Sequence, residues 1–158
     1  VNGKAVEADL DANKGYLPVK NIRKGDVIRI HFDMPVRTVV ANAKVTDDKG
    51  KVAVERGPLV YCAEAVDNQN EPVLRAVMAK KPAFSVVENY SILNTETKGA
   101  LAFKVKAIKA DAQVLEEGAN GVSVKNDVLT LIPYYAWNHR GANQMNVWFY
   151  QNLSVLDK

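Results

Sequence analysis

Apolar and polar residues alternate with a period of two in several stretches of this chain, and this alternation is what most constrains its fold. In residues 27–34 every second side chain is apolar, and His31 lies among the polar residues between them. Successive side chains of a β-strand point to opposite faces, so the pattern predicts a strand with one buried face. Residues 101–106 and 145–150 alternate in the same way.

Turn-forming residues separate the predicted strands at short intervals. Two predicted hairpins consist of apolar segments around such turns: 39–45 and 51–54 around Asp-Asp-Lys-Gly at 47–50, and 122–124 and 128–132 around Lys-Asn-Asp at 125–127. Asp, Asn and Gly adopt the backbone angles that tight turns need, which favours hairpins at both places.

Helical signals are weak. Pro72 and Pro82 bracket residues 73–81 and leave room for two helical turns at most, and residues 111–118 are expected to form one short turn. Val outnumbers Leu roughly two to one, which favours pleated sheet over helix. The sequence therefore predicts an all-β fold, an antiparallel β-sandwich of jelly-roll type with little helix.

Pro35 follows the first predicted strand and marks a possible subdivision, because proline is poorly tolerated inside a central strand. We therefore expect residues 1–36 to be the end of a preceding sandwich and residues 37–158 to be a C-terminal domain. The chain opens on Val-Asn-Gly-Lys without an initiator Met, and we expect it to be a piece of a longer polypeptide.

Composition and charge exclude several classes of protein. The 158 residues include 21 Lys and Arg against 18 Asp and Glu, a net charge of +3, with both signs mixed along the chain. A nucleic-acid-binding protein concentrates its basic residues, and a membrane helix needs roughly 18 consecutive apolar residues. We expect neither partner here. A single cysteine excludes an internal disulfide and a cysteine-rich metal site.

No group of residues has the spacing of a catalytic or metal site. Zinc takes His, Cys or carboxylate ligands at characteristic spacings, whereas His31, His139 and Cys62 lie far apart in the chain. We interpret Cys62 as a small buried side chain within an apolar strand, and His31 as a solvent-exposed strand residue. Glu116 and Glu117 are adjacent, whereas the two carboxyls of a glycosidase face each other about 5 to 10 Å apart. The sequence therefore assigns no catalytic residue and no metal ligand.

Residues 133–141, Pro-Tyr-Tyr-Ala-Trp-Asn-His-Arg-Gly, hold the densest group of aromatic and polar side chains. The candidate contact residues are Tyr134, Trp137, His139 and Arg140, and three interpretations remain open. The segment is an interstrand corner packed on its own domain, or it contacts a neighbouring domain, or it binds a sugar. In the third case the Trp137 ring stacks on the sugar while His139 and Arg140 bind hydroxyl groups.

Two longer motifs resemble a known family. Residues 50–64, Gly-Lys-Val-Ala-Val-Glu-Arg-Gly-Pro-Leu-Val-Tyr-Cys-Ala-Glu, resemble a signature of glycoside hydrolase family 127, the β-L-arabinofuranosidase family. Residues 132–141, with Met145, Val147 and Trp148, resemble the signature near that family's C-terminus. Residues 15–17, 25–27 and 34–37 are similar to the strands before the first signature. These matches follow the family order and cover nearly the whole chain.

The resemblance implies a long enzyme in which β-sandwich domains follow an N-terminal helical-barrel catalytic domain. It implies a retaining mechanism with a zinc-bound cysteine nucleophile and a glutamate acid/base, both in the barrel. Cys62 matches the cysteine of the strand signature, so no catalytic role passes to it, and no cofactor is expected in this chain.

We therefore expect a non-catalytic C-terminal β-sandwich of a glycoside hydrolase that braces the catalytic barrel. The alternative is a carbohydrate-binding module that uses Tyr134, Trp137 and Trp148. The implied partners are the barrel of the same polypeptide, a second copy in a homodimer, and a plant-type carbohydrate. The resemblance also implies a bacterial protein that is periplasmic or secreted.

Overall fold

The computed structural model describes residues 1–7, 14–79, 81–92, 103–118 and 121–151. The chain divides into two units, Val1–Asp33 and Met34–Lys158. Every strand assigned in the described residues belongs to the second unit, and the helices there are short 3-10 turns. The all-β fold predicted from the sequence is confirmed.

Nine strands are assigned in the described residues of the second unit. They are β1 (Val36–Val40), β2 (Lys51–Arg56), β3 (Leu59–Glu64), β4 (Ala76–Met78), β5 (Phe84–Ile92), β6 (Phe103–Gly118), β7 (Gly121–Pro133), β8 (Met145–Asn146) and β9 (Phe149–Tyr150). The 3-10 helices are Thr46–Asp48, Ala65–Asp67, Val73–Arg75 and Tyr134–Ala136.

The two longest strands, β6 and β7, form the centre of the sheet. They pair antiparallel from Ile108 and Leu131 to Gly118 and Gly121. The other edge of β6 pairs with β5 and then with β4, and the other edge of β7 pairs with β3. Both edges of each central strand are therefore hydrogen-bonded.

The sheet also closes on itself. β3 pairs with β2, β2 pairs with β9, and β9 meets β4 through one parallel pairing of Val77 with Tyr150. From β4 the order continues through β6 and β7 back to β3. The other pairings are antiparallel, and β1 and β8 extend the sheet from β2 and β3. Six strands thus enclose an interior.

Buried apolar side chains form two clusters on opposite faces of the central strands. The main core receives side chains from all six enclosing strands, including Val54, Tyr61 and Phe149. The Tyr61 hydroxyl donates a hydrogen bond of 2.9 Å to the Lys106 carbonyl, so this buried ring leaves no polar group unsatisfied. The second group, here called the outer cluster, consists of Cys62, Ile92, Val105, Ala107, Ile132 and Ala136.

The strand predicted at residues 27–34 is absent. Ile28, Ile30 and Phe32 are 48%, 61% and 75% exposed, and none of these residues is assigned to a strand. The Asn2 N–H donates a hydrogen bond of 2.8 Å to the Val27 carbonyl, but no ladder continues from it in the described residues. A strand is held by hydrogen bonds to a neighbouring strand, which the alternation of side chains cannot supply. The His31 side chain is exposed, as expected, and its Nε2 lies 3.3 Å from Asp33 Oδ1.

Two turn predictions in the second half of the chain are wrong. Residues 125–127 do not separate two strands, because β7 runs without interruption from Gly121 to Pro133. Residues 111–118 are the second half of β6 rather than a turn. Both segments pair with each other across the β6–β7 ladder, and this pairing outweighs the local preference of Asn and Asp for turns.

The other predicted elements differ from the structure mainly in their bounds. The first hairpin is confirmed as β1 and β2, although β1 ends at Val40. Of the range 73–81, residues 73–75 form a 3-10 turn and residues 76–78 form β4, and residue 80 lies outside the described residues. Residues 145–150 divide into β8 and β9, which pair with different strands. The strand predicted at 101–106 begins at Phe103, since residues 101–102 lie outside the described residues. β5 had no sequence prediction.

Gly57 allows the tight turn between β2 and β3. Its φ is +57°, and a Cβ atom built there would lie 2.8 Å from Met34 Cε. We predict that Gly57→Ala lowers the free energy of unfolding by about 1 to 3 kcal/mol, because an L-residue at this φ is strained and the side chain of Met34 must move.

Urea denaturation of Gly57→Ala with and without Met34→Ala separates the two causes. The backbone strain remains in the double variant, whereas the steric conflict disappears. A Gly57→Ala variant as stable as the parent chain would contradict the prediction.

Candidate functional site

The segment that joins β7 to β8, residues 134–144, folds back over the outer cluster and is here called the aromatic loop. Ala136 is fully buried in that cluster, and Trp137 packs against it as a half-buried side chain. Asn138 and Gly141 have φ angles of +63° and +84°, so two left-handed residues direct the chain around this bend. The aromatic loop therefore has a defined conformation on the sheet.

A buried ion-pair cluster anchors the aromatic loop. Both terminal nitrogens of Arg140 donate hydrogen bonds of 2.5 Å to the two carboxylate oxygens of Asp67, and one of them also donates to Glu64 Oε2. The three side chains are 6%, 2% and 0% exposed, in the order Arg140, Asp67 and Glu64. Glu64 is the last residue of β3, and Asp67 ends the following 3-10 helix. The loop is thus tied to the sheet by one guanidinium group.

Further hydrogen bonds complete this cluster. The backbone N–H of Asn138 and the side-chain amide of Asn143 donate to Glu64 Oε1 at 3.1 and 3.0 Å. The Tyr90 hydroxyl donates to Asp67 Oδ1 at 2.7 Å. Each buried carboxylate therefore receives several donors, which is the condition under which burial of a charge is tolerated.

These contacts shift the acidity of the cluster in defined directions. Burial raises the pKa of Glu64, but hydrogen bonds from Arg140, Asn143 and the Asn138 backbone outweigh it and hold the net pKa below the usual value. Burial and the hydrogen bond to Asp67 raise the pKa of Tyr90 to about 12. Burial lowers the pKa of Arg140, and its two carboxylate partners more than reverse this. All three groups keep their charge state at neutral pH.

Cys62 is buried in the outer cluster, as the sequence predicted. Burial raises the pKa of its thiol to about 12, and the negative charges of Glu64 and Asp67 add to this effect. A zinc ligand or a nucleophile must be a thiolate, so this environment does not fit either role. Nor does any group of three or more His, Cys, Asp or Glu side chains among the described residues have a geometry that could hold a metal ion.

The structure separates the four predicted contact residues into two groups. The Arg140 guanidinium is engaged inside the domain, whereas Tyr134 is 44% exposed and stacks on Trp137 with 5.9 Å between ring centroids and 30° between ring planes. His139 is exposed at the tip of the loop. The neighbouring Tyr135, which the sequence did not single out, is the most exposed ring of this loop at 62%. A contact role for Tyr134, Trp137 and His139 stays a prediction.

The sugar-binding alternative at this loop is not favoured. A flat sugar ring is best received by exposed, coplanar aromatic rings. Here Tyr134 and Trp137 are inclined to each other, and Trp137 rests on the outer cluster. Trp148 is itself half-buried. The rings therefore form an edge of the domain rather than an open platform.

Sequence reasoning missed the partners of Arg140. Glu64, Asp67 and Asn143 lie 76, 73 and 3 positions from it, and Tyr90 joins from a fourth element. The available signal was Glu64 itself, a carboxylate that directly follows the apolar run of β3. The Glu116 and Glu117 side chains lie outside the described residues, so their predicted lack of a role is untested.

Comparison with known proteins assigns the chain to a family. Residues 36–150 match the glycoside hydrolase family 127 C-terminal domain. The chain belongs to this family. The match covers β1 to β9, that is, the closed sheet, the outer cluster and the aromatic loop with its ion-pair cluster.

Several relatives of this family are much longer than the chain. A non-reducing end β-L-arabinofuranosidase of Bifidobacterium longum is 34% identical over 153 residues, which are 93% of this chain and 23% of that protein. A solved GH127 β-arabinofuranosidase is 44% identical with a TM-score of 0.78, over 97% of this chain and 23% of its own. A GH127 β-L-arabinofuranosidase of Geobacillus stearothermophilus is 28% identical with a TM-score of 0.58, over 75% and 18%. The chain thus spans about a quarter of the length of its relatives.

Arg140 generates a prediction for stability. Arg140→Met leaves Glu64 and Asp67 as buried, uncompensated charges, and we expect it to lower the free energy of unfolding at pH 7 by about 3 to 5 kcal/mol. The exposed Arg37, paired with Glu55 at 2.9 Å, supplies the matched control: Arg37→Met is expected to cost about 1 kcal/mol or less.

The loss should depend on pH with a definite sign. In the parent chain the lowered pKa of Glu64 contributes stability that is complete above the ordinary carboxyl pKa and is lost as the pH falls through the folded value. In Arg140→Met the lowering effect of the guanidinium is lost while burial and the Asn143 and Asn138 hydrogen bonds remain, so the pKa of Glu64 rises. The variant should therefore lose less stability than the parent chain as the pH falls. Guanidinium denaturation between about pH 4 and about pH 8 measures both curves. If stability depended on pH in the same way in the parent chain and in Arg140→Met, this role of the Arg140–Glu64 contact would be contradicted.

Proposed function

We propose that this domain is a non-catalytic accessory β-domain of a β-L-arabinofuranosidase-type glycoside hydrolase, and that it braces the catalytic part of the polypeptide. The observation that carries this proposal is the ion-pair cluster. The buried carboxylates Glu64 and Asp67 are held by Arg140, and the Cys62 thiol beside them stays protonated. The carboxylate oxygens accept hydrogen bonds from the same chain and the thiol is neutral, so these groups stabilise the fold and are not available to attack a glycosidic bond.

The aromatic loop is the surface through which the domain would contact the catalytic part. Tyr135 is 62% exposed and follows Tyr134 in a 3-10 turn. This turn is held in place by the buried side chain of Ala136 and by the ion pairs of Arg140. Aromatic side chains on a rigid support are typical anchors of protein interfaces, since little entropy is lost when they bind. The exposed rings and the buried anchor together support docking of a protein surface.

The remaining parts of the proposal concern the whole polypeptide and follow from the family. Hydrolysis would take place in a separate catalytic barrel, and zinc would be bound there, since the residues around Cys62 do not fit a thiolate ligand. The relatives are named as β-L-arabinofuranosidases, which makes terminal L-arabinofuranose the expected substrate. We also propose that the protein acts in the periplasm or outside a bacterial cell. No helix in the described part of the chain is long and apolar enough to cross a membrane.

The first test is activity. The chain, purified by itself, is expected to release no p-nitrophenol from p-nitrophenyl β-L-arabinofuranoside above the buffer rate, because its described residues include no positioned acid/base and nucleophile. Glu64→Gln and Asp67→Asn variants control for a contaminating enzyme. Steady turnover by the purified chain that either substitution abolishes would refute the proposal.

The second test concerns docking through Tyr135. In the full polypeptide that carries this domain, Tyr135→Ser is expected to lower the melting temperature and the hydrolytic activity, since an anchor residue typically contributes about 2 kcal/mol or more to its interface. In the chain by itself the same change should leave the melting temperature within about 1 °C, because the ring is exposed.

Val40→Ser is the matched control for this second test. Val40 is 74% exposed on the edge strand β1, and its replacement should have little effect in either context. Equal effects of Tyr135→Ser in the chain and in the full polypeptide would assign the ring to the fold of the domain itself and would contradict docking.

A further inference from the structure

A surface cavity of about 620 Å³ lies on the side of the sheet where β4, β6, β7 and the end of β9 meet. Its volume is in the range of small-molecule sites. It shares no lining residue with the aromatic loop or with the ion-pair cluster. The functions proposed above therefore make no use of it.

Four hydrogen-bonding side chains from three segments converge on this cavity. They are Asp111 and Gln113 of β6, Asn126 of β7, and Gln151 after β9. The strand register explains the convergence, because Gln113 pairs directly with Asn126 and Asp111 pairs with Val128 across the β6–β7 ladder. Directly paired residues of neighbouring strands project from the same face of a sheet.

The Gln113 and Asn126 amides are oriented by each other. Gln113 Nε2 donates a hydrogen bond of 3.0 Å to Asn126 Oδ1. This bond uses one donor of Gln113 and one acceptor of Asn126, so it leaves the Gln113 carbonyl and the Asn126 amino group as an acceptor and a donor side by side.

The inner wall of the cavity is apolar. Val77 pairs with Gln113, and Val128 pairs with Asp111, so both Val side chains lie on the face that carries these polar groups. Val77 is almost completely buried, and Val128 adds an exposed apolar side chain. A sugar ring has apolar C–H faces and hydroxyl groups at its rim, and it is recognised by an apolar surface flanked by carboxylates and amides. An isolated metal ion makes no favourable contact with such an apolar wall.

The charges of the lining also restrict the ligand. Asp111 is acidic, and no Lys, Arg or His is among the described residues that line the cavity. An anionic ligand would meet this carboxylate without a compensating cation from those residues. A neutral ligand with adjacent hydroxyl groups can donate to this carboxylate and to the Gln113 carbonyl while it accepts from the Asn126 amide.

We infer that this cavity is a binding site for a neutral sugar, separate from the aromatic loop. It would hold a saccharide end near the enzyme to which the domain is attached. Sites built from a few side-chain hydrogen bonds in an open cavity are weak, so the dissociation constant is expected to be about 1 to 10 mM.

The test is a titration of the ¹⁵N-labelled chain with methyl β-L-arabinofuranoside, followed by amide chemical shifts. We expect saturable shifts confined to residues of the cavity, among them Gln113, Asn126 and Val128. Galacturonate, an anionic sugar, is expected to give no saturable shifts, because the Asp111 carboxylate repels it.

Substitutions then assign the hydrogen bonds. Asn126→Ala and Gln151→Ala should each raise the dissociation constant about fivefold or more. Gln144→Ala, an exposed amide outside the cavity, should leave it unchanged. Unchanged shifts elsewhere in the spectrum show that each variant is folded.

Three results would overturn the inference. The first is an absence of saturable shifts up to about 50 mM sugar, well above the expected range. The second is shifts at residues 134–141 instead of the cavity. The third is equal binding of the neutral and the anionic sugar. The inferred sugar site does not depend on docking through Tyr135, so either proposal can be refuted while the other stands.

Discussion

The antiparallel pairing of β6 with β7 is the interaction on which the rest of this domain depends. It is the longest ladder of the sheet, and the other edges of its two strands carry β3, β4 and β5. Its inner face supplies Ile108 and Leu131 to the main core, and its outer face supplies Ala107 and Ile132 to the outer cluster. Both cores are therefore built on one pair of strands, and the cavity between Gln113 and Asn126 lies on the same ladder.

Closure of the sheet follows from the way β2 and β3 share their edges. One edge of β2 pairs with β9 near Lys51 and with β3 near Arg56, so the two neighbours diverge along a single strand. Divergence of this kind turns a sheet around its own core. The fully buried Val54, Tyr61 and Phe149 fill the space that results, and hydrogen bonds to neighbouring strands cover the edges that would otherwise be exposed.

The sequence predicts the class of this fold better than its pairings. Alternation shows which residues share a face, but it does not show whether a partner strand exists, and residues 27–34 have the pattern without the partner. Local turn preference at residues 125–127 loses to the ladder with β6, which involves residues far away in the chain. The hairpin at β1 and β2 could be predicted because its two strands and its connection are neighbours in sequence.

The same limit applies to the candidate site. Arg140 stands out in the sequence because it lies in an aromatic segment, and this favoured a contact with a sugar or with another domain. Its partners Glu64 and Asp67 are more than 70 positions away, and only the folded sheet brings them to the guanidinium. A buried ion pair is weak evidence for stability, because desolvation costs about as much as the attraction returns. Its effect here is to select one conformation of the loop.

The carboxylates in this domain have different surroundings, and the difference separates structure from binding. Glu64 and Asp67 are buried, and Arg140, Asn143 and Tyr90 occupy their oxygens. Asp111 lines an open cavity beside the Gln113 and Asn126 amides, and the described residues of this lining include no cation. A carboxylate whose partners come from the same chain holds that chain in place, whereas one that faces solvent beside unspent amide groups can still exchange water for the hydroxyl groups of a ligand. The charges near the aromatic loop therefore hold that loop, whereas polar groups still available to a ligand lie on the β6–β7 ladder.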